Sequence, residues 1–119
     1  RDPAMAPPGA TALITFPIGS ALLGSDEMSL LGEIAALQKR RDAAVSVLVH
    51  PEAKPGQAME AMLGSFELAG KQGDAVGREL RRLGVPSQRL TITSLAADTA
   101  GEGGGRAGAP GRAEIHLAD

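Results

Sequence analysis

The apolar residues of this chain recur with a period of two, then of nearly four, then of two again, and the cycle runs twice before the chain closes on two alternating segments. Few folds accept that rhythm. TALITF, residues 11–16, alternates as a strand, and PIGS behind it reads as a turn. Ser25 is an expected N-cap, Asp26 and Glu27 sit in the first turn, and Met28, Leu31, Ile34 and Leu37 follow at helical spacing. Lys39, Arg40 and Arg41 close that helix, predicted over 26–40, where its dipole favours cations.

VSVLVHPEAKPG comes next, and residues 44–50 form a strand with Val45, Val47 and Val49 on one face and Ser46, Leu48 and His50 on the other. A strand, helix, strand unit of this kind is expected to cross over right-handed into parallel pairing. A second helix covers 68–83, with Val76, Leu80 and Leu83 on its apolar stripe, Gly84 as the residue after its end and Pro86 beyond. Residues 58–66 are either its beginning or a separate helical turn. Gly70, Gly73 and Gly77 inside it each cost about 1 kcal/mol relative to alanine. Close approach of the helix backbone to the sheet or to the first helix is the expected compensation.

RLTITSL, residues 89–95, alternates as a third strand, and RAEIHL, residues 112–117, as a fourth. Between them, 97–111 are rich in glycine without apolar periodicity, so a mobile loop is expected. The order β-α-β-α-β-β predicts an α/β sandwich: one mixed four-stranded sheet with both helices on one face, not a doubly wound fold. RDPAM at 1–5 reads as a junction rather than a native beginning, and 6–10 as a linker. The single domain is therefore expected to span 11–119.

Composition narrows the chemistry. The 119 residues suffice for one two-layer core, and aromatic residues make up only 2%, with no Trp or Tyr, so there is no stacking platform for bases or sugar faces. Net charge is −2, which provides no overall basic field for nucleic acid. Lys39 to Arg41 and the arginines between Arg78 and Arg82 read as solvated helix faces, the second interrupted by Glu79. The absence of cysteine removes disulfides, thiolate nucleophiles and Cys-ligated zinc. No apolar run approaches the roughly 18 to 20 residues that span a bilayer.

GEGGGRAGAPG lacks the Gly-Lys-Ser/Thr of a phosphate loop and leads into a strand, not a helix N-terminus. His50, Glu52 and His116 do not have metal-ligand spacing, and no Gly-x-Ser-x-Gly elbow is present. The expectation is a protein that is not an enzyme and needs no cofactor or metal.

ITFPIGSALLGSDEMSLLGEIAAL, VSVLVHPE, LAGKQGDAVGRELRRLGVPSQRLTI and GRAEIHL stand in an order and spacing that resemble the C-terminal OmpA-like domain, shared by OmpA proteins, the peptidoglycan-associated lipoprotein and the MotB stator protein. VSVLVHPE lies where the family has a strand ending in Gly-His-Thr-Asp, and His50 matches. Val76, Leu80, Gly84 and Val85 fall in register with the family's second helix, and Arg112, Glu114 and Ile115 with the end of Asn-Arg-Arg-Val-Glu-Ile. The resemblance implies a periplasmic domain that anchors non-covalently to the diaminopimelate of peptidoglycan, tethered to the outer or inner membrane through a part outside this sequence.

In that family the ligand's ammonium meets the Asp of Thr-Asp and its carboxylate meets a helix Arg, as a zwitterion requires. Here Glu52 replaces the Asp, Pro51 the Thr, Gln72 the Arg, and Gly111 the first Arg of Asn-Arg-Arg. Lys71 points about 100° away around the helix and cannot stand in for Gln72. Exchanging a guanidinium for a neutral amide costs roughly 1.5 to 3 kcal/mol, or about 10- to 100-fold in affinity. The candidate ligand residues are thus His50, Glu52, Gln72 and Arg112, with the peptidoglycan grip weakened or lost. The alternative is a scaffold that contacts other envelope proteins, as in a secretion or pilus machine.

Overall fold

The structure is a computed structural model that describes residues 11–52, 59–95 and 110–118, with side chains omitted for 59–62. The expected junction and linker at 1–10 and nearly all of the glycine-rich loop at 97–111 lie outside the described residues. The elements are β1 (Ala12–Thr15), α1 (Ser25–Arg41), β2 (Ala44–His50), α2 (Met59–Arg82), a 3-10 turn (Ser87–Arg89), β3 (Leu90–Ser94) and β4 (Arg112–Ala118). That is the β-α-β-α-β-β order read from the periodicity, and it forms one mixed four-stranded sheet.

Strand neighbours differ from the expectation in one respect. The sheet runs β1-β4-β2-β3, so β1 and β2 are not paired; β4 lies between them, antiparallel to both. Parallel pairing arises only in the second unit, where β2 and β3 run side by side with Val47 opposite Ile92. Placing β4 centrally gives both its edges a ladder partner, whereas at the rim one row of its peptide groups would stay open.

The period-two pattern sorts side chains by face. Ile14, Val45, Val47, Val49, Ala113 and Ile115 are buried, and they pack with Leu31, Ile34, Ala35, Ala69, Val76 and Leu80 of the helices. Fully burying each large aliphatic side chain contributes about 1.5 to 3 kcal/mol, enough to lock the strand register.

Helix ends follow local chemistry, with one correction. Gly24, not Ser25, is the N-cap of α1, and no side chain caps it; Ser25 is already helical. Asp26 and Glu27 remain to offset the open N–H groups of the first turn. Gly84 ends α2 at φ +107°, as its position predicted. α2 begins at Met59, so residues 59–66 belong to this one helix.

The glycine stripe of α2 divides. A Cβ on Gly73 would lie 2.9 Å from Ile92 Cγ2 and 3.2 Å from Val49 Cγ2, and one on Gly77 would overlap Ile92 Cδ1. Those two glycines let the helix sit down on β2 and β3. Gly70 faces open space.

Candidate ligand-binding site

The end of β2 delivers a carboxylate to the start of the chain. Beyond Val49 in the core, Pro51 and Glu52 are both buried, and Glu52 Oε2 accepts the N–H of Gly19 in the turn behind β1. Gly19 sits at φ +74°, a conformation that glycine reaches without steric cost. Ser20 N–H closes the turn on Pro17 C=O at 3.1 Å, and Ser20 Oγ accepts from Leu22 N–H at 2.9 Å.

α2 reaches the same turn from the other side. Gln72 is fully buried, and its Nε2 donates to Ser20 C=O at 2.9 Å. Its Oε1 is buried with no hydrogen-bond partner. Gly111 closes the arrangement: its C=O accepts Phe16 N–H at 3.0 Å, and a Cβ there would stand 2.6 Å from Gln72 Oε1. β1, β2, α2 and the entry to β4 therefore meet at one turn. Among the described residues, the side chains that β2 and α2 bring to it are one carboxylate and one amide.

His50 and Arg112 stand elsewhere. Strand alternation turns His50 to the sheet face opposite the helices, where its Nε2 donates to Glu114 Oε2 at 2.8 Å. His116 Nε2 approaches the other oxygen of the same carboxylate at 3.3 Å. Arg112 is directly across the ladder from His50 and shares that outer face. Of the four candidate residues, Glu52 and Gln72 come together, while His50 bonds Glu114 on the outer face that it shares with its ladder partner Arg112. The difference is one of parity: residues 50 and 112 are each one step out of phase with a core position, Val49 and Ala113.

Gly19, Ser20 and Gly111 as members of the site were missed from sequence. PIGS signalled a turn but not its contacts, and a glycine signals no polar chemistry. Glu114 as partner to both histidines was also missed, although Glu114 and His116, two apart on an alternating strand, necessarily share a face. Among the described residues, no group of three or more His, Asp or Glu is placed to hold a metal ion. No helix among them is long and apolar enough to cross a membrane.

One mixed sheet with two helices against one face, and a polar turn where the strands end, is the architecture in which these residues meet. The fold is that of the OmpA-like C-terminal domains. Solved structures similar to this chain include the OmpA-like domain of FopA1 from Francisella tularensis, at TM-score 0.68 and 14% identity over 90% of this chain and 72% of that one. The peptidoglycan-associated lipoprotein from Burkholderia pseudomallei aligns at TM-score 0.65 and 19% identity over 88% of both chains. The C-terminal domain of Helicobacter pylori MotB aligns at 0.63 and 17%, over 91% of this chain and 84% of that one. No protein-family model and no curated protein matches the sequence.

Proposed function

We propose that this chain is a non-enzymatic, periplasmic OmpA-like domain of a cell-envelope protein, which contacts the diaminopimelate stem of peptidoglycan with a weakened grip. The observation that carries this reading is the convergence of Glu52 and Gln72 on one turn. Those are the two positions at which the resembled family holds its ligand. Glu52 supplies the anion that an ammonium needs. Gln72 supplies no cation for a carboxylate, so about 10- to 100-fold of the affinity of an arginine site is lost. One of the similar structures is itself a peptidoglycan-associated lipoprotein.

Titrating the 15N-labelled domain with a diaminopimelate-containing muropeptide tests this. Amide shifts are expected at residues 50–52 and 68–72 and in the 19–20 turn. An unchanged spectrum at millimolar ligand removes the tether.

A second reading rests on a different observation. Glu52 and Gln72 are already bound to the chain's own turn, and Ile18 and Leu22 beside it are 57% and 76% exposed, with Leu63 and Phe66 also exposed on α2. Large apolar side chains left in water suit a protein partner. On this reading the domain is a scaffold in an envelope assembly. Replacing Ile18 and Leu22 by serine would then abolish recovery of envelope partners while leaving the muropeptide titration unchanged.

A further inference from the structure

The Gln72 amide is only half used. Nε2 must point at Ser20 C=O, because the reverse orientation would set carbonyl against carbonyl, and this leaves Oε1 as the buried acceptor without a partner. Buried acceptors are seldom left open. Gly111 brings its Cα against the amide with no side chain of its own; an added Cβ would come within 2.7 Å of Nε2 and 2.6 Å of Oε1. Glu52, on the adjacent residue of the same turn, is also an acceptor. Lys71 is exposed one position along α2, and Arg112 belongs to the outer face of the sheet, so no cation from either faces the amide.

A guanidinium at residue 72 would ask its ligand for a carboxylate. Gln72 Oε1 asks for an N–H. We propose, on the reading that this site takes the stem-peptide end, that it selects a ligand whose carboxyl group is amidated: a primary carboxamide at Gln72, with the neighbouring ammonium at Glu52. The carboxamide N–H satisfies Oε1, while a free carboxylate would set a third acceptor between an amide oxygen and the Glu52 carboxylate. Gln72 is fully buried between Gly111 and the Ser20 carbonyl, so on this proposal the ligand reaches Oε1 by displacing the turn from the amide.

The test is a parallel NMR titration of the labelled domain with two muropeptides differing only in whether the diaminopimelate carboxyl is free or amidated. The amidated form is expected to bind about tenfold tighter, the effect of one such hydrogen bond, with shifts at Gly19, Ser20, Gly111 and the Gln72 side-chain NH2. Gln72→Arg should reverse the order of preference. Should that variant misfold, Gln72→Met, which keeps the volume and removes the acceptor, should bring the two affinities together. Equal or tighter binding of the free acid to the native domain overturns the amide preference and leaves the stem-peptide reading standing. Binding of neither form removes that reading and the preference with it. A preference that persists unchanged in both variants shows that Gln72 is not its source.

Discussion

Glu52 and Gln72, one at the end of a strand and one inside a helix, hold successive residues of the same turn, the first at the N–H of Gly19 and the second at the C=O of Ser20. The turn behind β1 is thereby tied to β2 and α2 by two side chains that are 7% and 0% exposed. Removing either anchor leaves a main-chain group of that turn without its partner.

Gln72→Ala strands the Ser20 carbonyl and opens a small cavity. A loss of about 2 to 3 kcal/mol is expected in urea unfolding, with little change in the slope of the transition.

Gly111→Ala forces a methyl group into the Gln72 amide and should cost about 1 to 3 kcal/mol by overpacking. In the double variant with Gln72→Ala the clash has no target. The two single losses should therefore fall short of additivity by 1 kcal/mol or more in a double-mutant cycle, an order of magnitude typical of touching residues.

Gly70→Ala and Gly73→Ala lie one turn apart on α2 and should move stability in opposite directions. The first adds helix propensity into open space and should raise stability by about 0.5 to 1 kcal/mol. The second pushes against Ile92 and Val49 and should lower it by about 1 kcal/mol or more, read from the same unfolding curves.

Glu79 and Arg82 pair within the last turns of α2. The hydrogen bond from Arg82 holds the Glu79 carboxyl below the usual carboxylate range, with its positive charge helping and burial opposing. A carboxyl more acidic in the folded than in the unfolded chain contributes stability that is fully present above its unfolded pKa. That contribution is lost as pH falls through the lowered folded value. Arg82→Gln should therefore raise the Glu79 titration midpoint by NMR, and the stability gap between native and variant chains should narrow on acidification.

Much of the fold was legible because the signals for it are local. Alternation in 44–50 and 112–117 identifies strands and their core faces from a few consecutive residues, and Val76, Leu80 and Gly84 mark one face and the end of α2. The central place of β4 was not legible: a period of two says which way a side chain faces and nothing about which strand lies alongside. His50 shows the same limit at the site. As a histidine at a strand end it matched a ligand position, yet its phase relative to Val49 sends it to Glu114 on the outer face.

Element order, helix stripes and the chemistry withheld from residue 72 follow from the chain alone, since they depend on neighbours within a turn or two and on which functional groups are present. The meeting of Gly19, Ser20, Glu52, Gln72 and Gly111 was decided only when the sheet formed. Hydrogen-bond partners far apart in sequence are selected by packing geometry, and the half-satisfied amide at its centre exists only there.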